Sequence, residues 1–275
     1  MPLDKLLDFG FKTFNDLDEI LKVKLRMVKD SFNQKFDLED YVFLVLDEDF
    51  SVNFNEIDEL TKVFFVVRKK INLTLKSDVK EKINLNFLLL DSMNVAFFAD
   101  GVFDIKFFSL LHSDVNVFMD SGKTNLVLDV FVDDDVENNF NLSILSEQDT
   151  TVKVSTGLKD NSKLSFNLMS VNLGKLSVYG NGKVMQGSKA NDIAMNLRCL
   201  HLGESVELTP VLEVNTNDVK ASHSALSSGF NENTLFYFMA KGLSRKDAEL
   251  LFAKETLGKY LKEKFFDEFI EKVSL

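Results

Sequence analysis

The chain has 275 residues, enough to bury a substantial core as one large or two modest domains. Its 43 acidic residues outnumber 32 Lys and Arg, giving a formal charge of −11, and the longest basic run is Arg68-Lys69-Lys70. That balance argues against nucleic acid and anionic membrane as partners, because basic clusters supply most of the affinity for both. A single cysteine, Cys199, excludes an internal disulfide framework and a Cys-rich metal site within one chain.

The first 40 residues read as a helical segment. Leu17, Leu21, Leu25, Val28 and Phe32 recur at three- and four-residue intervals, the spacing of one helix face, with Asn15 or Asp16 as the expected cap. The N-terminal residues lack a charged region followed by an apolar core, and no run approaches the ~20 apolar residues of a membrane span. The expectation is a soluble, cytoplasmic protein.

From Tyr41 to about Lys220 the period changes to two. Ile83–Phe87, Val115–Val117, Phe140–Ile144, Val152–Val154, Leu164–Leu168 and Leu176–Val178 alternate apolar with polar residues, and turn residues separate the runs. The pattern predicts a mostly β protein: a sandwich, a barrel or a solenoid. Periodicity does not separate the sandwich from the solenoid, because both bury alternate residues. The absence of intervening long helical patterns excludes a doubly wound α/β fold.

The helical period returns at Asn231. A helix is expected over Thr234–Lys241, with Gly242 as the left-handed residue after its end. Ser244-Arg-Lys-Asp247 resembles a capping box for a second helix through Ala248, Leu251, Phe252 and Glu255. Leu261, Phe265, Phe269 and Val273 predict a last helix. The domain reading is thus a helical segment at 1–40, a β core at 41–228 and a helical domain at 229–275.

Candidate sites are sparse. Gly180-Asn181-Gly182-Lys183 lacks the Walker spacing and reads as a tight turn between strands. Asp133, Asp134, Asp135 and Glu137 can supply oxygen ligands to a hard cation, or paired carboxylates to glycoside chemistry, but also read as a solvated loop. Cys199 and His201 project to one face of a predicted strand, two metal ligands of an incomplete set. His112 has no companion that marks a mechanism. His223 stands between Ser222 and Ser224 at a strand end, and adjacent strand residues point to opposite faces, which argues against a Ser–His catalytic pair.

Residues 189–260 resemble the C-terminal half of the SufB/SufD family, scaffold subunits of the SUF iron–sulfur cluster assembly system. Pro210-x-Leu-Glu-Val214 is similar to that family's Pro-x-Leu-Glu-Ile segment. Asn217-Asp-Val-Lys-Ala-Ser-His223-x-Ala225 is similar to its Asp-Asp-Val-Lys-Cys-Ser-His-Gly-Ala. Leu235-Phe236-Tyr237, Ala240-Lys241-Gly242-Leu and Asp247-Ala248 are similar to its Leu-Phe-Tyr, Ser-Arg-Gly-Ile and Asp/Glu-Ala. The resemblance implies a right-handed parallel β-helix flanked by a short N-terminal helical segment and a C-terminal helical domain. It further implies a scaffold without catalysis of its own. The C-terminal helices would dock the ABC-type ATPase SufC through Leu235, Phe236, Tyr237, Lys241 and Gly242. The β-helix would pair with a SufB-like paralogue or with itself, and a cysteine desulfurase would act indirectly. His223 inherits a role in cluster assembly at that pairing; Cys199 and His201 remain weaker metal candidates from their strand spacing alone, and the resemblance carries no role to Cys199. No stably bound cofactor is expected, only a transient cluster or iron at the interface.

The departures bear on the role. SufB-type chains carry Glu after this His and SufD-type chains carry Gly; Ser224 stands here, which brings the chain nearer SufD. Lys241 replaces the usual Arg, keeping the charge without the planar fork. Two other readings accompany this one: a carbohydrate-active solenoid enzyme using Asp133 and Asp135, and a homodimeric scaffold that has lost assembly function.

Overall fold

The computed structural model describes residues 11–56, 62–79 and 81–258. The predicted helix through Leu261, Phe265, Phe269 and Val273 lies outside the described residues. Among the described residues, fourteen strands, all paired in parallel, wind into a β-solenoid of about seven turns. One ladder runs through β1 (Val42–Leu46), β3 (Lys62–Val67), β5 (Ile83–Leu89), the second half of β6 (Met93–Ser109) and the second half of β7 (Ser113–Val132). It continues through β9 (Thr150–Leu158), β11 (Lys175–Lys183) and β13 (Ser205–Glu213). The other ladder runs through β2 (Phe50–Asn53), β4 (Ile71–Ser77) and the first halves of β6 and β7. It ends through β8 (Glu137–Ser146), β10 (Lys163–Asn172), β12 (Asn191–His201) and β14 (Val219–Ser228).

The period of two explains the winding. Each strand turns alternate residues inward, and the parallel register stacks them into columns. One column reads Ile71, Met93, Val115, Phe140, Phe166 and Met195, every member at most 1% exposed. The phenylalanines stack along the axis: Phe65 to Phe87 at 4.9 Å, Phe87 to Phe107 at 4.6 Å, and Phe140 to Phe166 at 5.5 Å between ring centroids. Phe suits this use because it fills volume without a polar atom to satisfy.

Helix α1 (Glu19–Ser31) covers the outside of the first ladder, where β1, β3, β5 and β6 offer Phe43, Phe64, Val66, Leu88 and Phe108. Leu21, Leu25 and Val28 form its buried face, and Leu17 and Phe32 flank it, as their spacing predicts. The cap is Asp18, whose carboxylate accepts from the Leu21 amide at 2.9 Å, and not Asn15 or Asp16. Asp16 is engaged one turn earlier, where it accepts from the Thr13 amide and hydroxyl.

At the other end, α2 (Glu232–Ala240) and α3 (Arg245–Gly258) fold back on the second ladder. Ala253 and Leu257 pack on Phe118, Leu145, Val171 and Leu200, and the Ser143 hydroxyl donates to the Leu257 carbonyl. Asn231 caps α2 by accepting from the Asn233 and Thr234 amides. Gly242, at φ +98°, takes the left-handed conformation expected of it. Ser244 accepts from the Asp247 amide at the start of α3. Among the described residues no helix is long and apolar enough to cross a membrane.

Gly180 and Gly182 lie inside β11 and not in a turn. A Cβ at Gly180 would sit 2.6 Å from the Met195 sulfur, and one at Gly182 2.6 Å from Leu212 Cδ2. The glycines make room for the side chains of the neighbouring strands.

Candidate functional site: the open last turn

The solenoid has two different ends. At the C-terminal end, β13 pairs only with β11 and β14 only with β12 among the described residues, so both strands present an unpaired edge. Such an edge is a row of free amides and carbonyls, a template for another strand. On β13 that template is interrupted by Pro210, which has no amide proton. β14 carries neither Pro nor Gly and is exposed from Lys220 to Ser228.

The register places His223 within this last strand rather than at its end. His223 is the partner of Met195 and so continues the inward column that runs from Ile71 through Phe166. Its neighbours on that face are Ala221, Ala225 and Ser227, set against Ile193, Leu197 and Cys199 one turn below. The last turn therefore closes the apolar core with short side chains and one imidazole. That imidazole is exposed, and among the described residues no further turn covers it.

Ser224 points outward and ends a ladder of side-chain amides. Asn94 donates to Asn72, Asn116 to Asn94 and Asn141 to Asn116, each at 2.9 Å. Asn167 donates to Asn141 at 3.1 Å, Asn196 to Asn167 at 3.0 Å, and the Ser224 hydroxyl to Asn196 at 2.7 Å. At the far end Asn72 donates to the Asp49 carboxylate. Sequence reasoning missed this ladder; Asn recurring at the matched strand positions was its signal.

The second exposed feature is the surface of α2. Phe236 is 72% and Tyr237 59% exposed, with Met239 and Leu243 beside them, which sequence reasoning did not single out. Lys241 holds its ammonium 5.6 Å from the Tyr237 ring centroid. Leu235 is fully buried, so it fixes the helix instead of offering contact surface, a correction to its expected docking role. Arg245 ties the two helices by donating to Glu232 on α2 at 2.8 Å, and it also donates to Glu249 on its own helix at 2.8 Å.

The remaining candidates are built into the turns. Asp133 pairs with Lys159 at 2.5 Å, Asp134 accepts from the Asp160 amide, and Asp135 accepts from Asn161. Each carboxylate thus bonds to the next turn of the solenoid. His112 accepts the Glu137 amide proton at Nδ1. Cys199 is buried, and burial pushes its thiol above the ordinary range, an effect partly offset by a hydrogen bond with Ser170. His201 lies at the end of β12, its Nδ1 3.5 Å from Asn172 Nδ2. No group of three His, Cys, Asp or Glu side chains able to hold a metal ion occurs among the described residues.

The family model for the SUF system FeS cluster assembly SufBD core domain matches residues 142–255, from within β8 through most of α3. The match covers less than half of the chain and includes β14, His223, α2 and most of α3. No curated protein matches the chain.

Proposed function

We propose that the chain is a SufD-like scaffold subunit of a SUF iron–sulfur cluster assembly complex, with no catalysis of its own. It pairs through β14 with a SufB-like chain and docks a SufC-like ABC ATPase through the exposed face of α2. The observation that carries this reading is the uncovered last turn, lying inside the matched segment, with His223 as its exposed inward side chain.

The chemistry follows from that placement. A strand laid along β14 satisfies its free amides and carbonyls, as in other strand additions. The same strand covers the end of the core, so His223 becomes enclosed between two chains. Neutral imidazole ligates iron and exchanges protons near neutral pH. His223 can therefore hold iron or move a proton while a transient cluster, the cargo of the system, forms at the junction. Phe236 and Tyr237 offer large rigid anchors for the ATPase, and Lys241 borders them with a positive charge. Movement of the ATPase subunits then pulls on α2 and α3, which are rooted on β8 and β10 through Leu257, and opens the junction.

Affinity capture of the chain co-expressed with a SufC-like ATPase tests this reading. The ATPase is expected in the captured complex, and absent from it with Phe236→Ala/Tyr237→Ala. A folded chain captured without the ATPase would overturn it.

A further inference from the structure

Helix α1 carries a second apolar stripe that the solenoid does not use. Leu21, Leu25 and Val28 are buried, yet Ile20, Val23 and Met27 are 70%, 50% and 60% exposed. Single exposed apolar residues are ordinary; a row at the spacing of one helix face marks a contact surface. The row runs into a groove of about 370 Å³, where Met27 and Phe32 on one side meet Leu90, Leu110 and the 52% exposed Leu111 in the turns after β5 and β6. Lys24 is half-buried in the same groove, and no ion pair among the described residues reaches it.

We infer that this stripe joins two copies of the chain, with their α1 helices side by side and parallel. The seam has the coiled-coil form: Ile20, Val23 and Met27 stand at positions a, d and a of successive heptads, with Glu19 at g and Lys24 at e. In a parallel pair, g of one helix meets e of the other, so Glu19 of each copy reaches Lys24 of the second copy. The two-fold axis makes this ion pair twice, and each supplies a carboxylate to the groove's unpaired ammonium.

Other arrangements fit less well. An antiparallel pair brings like flanks together, and the register that packs Val23 on Met27 sets Lys24 against Lys24 and Arg26 against Arg26. An anionic membrane would meet Glu19 and Asp30 along one flank of the stripe. Asp30 also takes the next d position and ends the seam, so the contact is small beside the ~800 Å² per partner of a stable complex, and the association is weak. Helix α1 lies over β1, β3, β5 and β6, whereas β14 closes the opposite end, so this pairing goes beyond the scaffold reading and leaves its surfaces free.

Sedimentation equilibrium of the full chain tests the inference. Reversible dimerisation is expected at concentrations on the order of 100 µM. Glu19→Lys and Lys24→Glu should each weaken it by about tenfold, because two attractive pairs become repulsive. An equimolar mixture of the two variants should regain the original affinity, since each supplies the charge that the other lacks; circular dichroism checks that α1 stays folded in both. A chain that remains monomeric, a dimer that neither substitution weakens, or a mixture no tighter than the separate variants would overturn the inference. So would a monomer that binds phosphatidylserine vesicles through the stripe, which would assign it to a membrane surface.

Discussion

His223 sits directly over Met195 in the register of the last two strands of its ladder, the one polar ring in a column otherwise built of Ile, Met, Val and Phe. The column needs an apolar residue wherever another turn follows. At the open end the requirement lapses, and an imidazole takes the place. Replacing His223 by Ala removes an exposed side chain, so stability should change by no more than about 0.5 kcal/mol. Cluster formation by the complex should fall sharply. Thermal unfolding and cluster absorbance on the same variant separate the two effects.

The interior behaves differently. Phe140 lies 5.0 Å from Phe107 and 5.5 Å from Phe166, fully buried. Phe140→Ala should destabilise the solenoid by about 3–5 kcal/mol, the transfer loss plus an unfilled cavity. Urea unfolding gives the value, and a change below 1 kcal/mol would contradict the packing described.

The amide ladder predicts a positional gradient. Asn141→Ala strips Asn116 of its donor and Asn167 of one of its two acceptors in the middle of the stack, at about 1–3 kcal/mol. Ser224→Ala removes one exposed terminal bond and should fall at or below about 1 kcal/mol. Equal losses at the two positions would show that the ladder contributes nothing as a chain of bonds.

Much of the fold was legible because inward columns impose a strict period of two on each strand. The solenoid itself was not legible from that period. What distinguishes it from a sandwich is which residues pair, and the partners lie 22 residues apart at Asn72–Asn94 and 29 apart at Asn167–Asn196. The resemblance to a known family supplied that information. The same distance hid the amide ladder, since no local window contains two of its members. Gly180 and Gly182 were misread as a turn because the demand for glycine comes from Met195 and Leu212 on other strands. Ala221, Ala225 and Ser227 were the local sign of an uncovered strand, being too small to fill an inward face. The helix cap was misplaced by two or three residues, and Asp16 is held in the preceding turn by Thr13.

Cys199 gives a pH dependence of definite sign. Burial raises its folded-state pKa, so its contribution to stability is full below the unfolded thiol value, about 8.5. The contribution is lost as pH rises toward the folded value, because the unfolded chain releases the proton first. Stability of the unsubstituted chain should therefore fall relative to Cys199→Ala as pH rises above the unfolded thiol value of about 8.5. Urea unfolding across that range checks it, and alkylation of the native thiol should be slow over the same interval.

Hydrogen–deuterium exchange of the chain alone and with SufB-like and SufC-like subunits tests whether β14 and α2 are the working surfaces of the proposed scaffold. The alternate amides of residues 219–228 that face away from β12 should exchange quickly in the isolated chain, where that edge is free, and become protected by the SufB-like chain; residues 232–243 should become protected by the ATPase. Unchanged exchange in both segments within an assembled complex, with protection appearing elsewhere on the solenoid, would contradict the account.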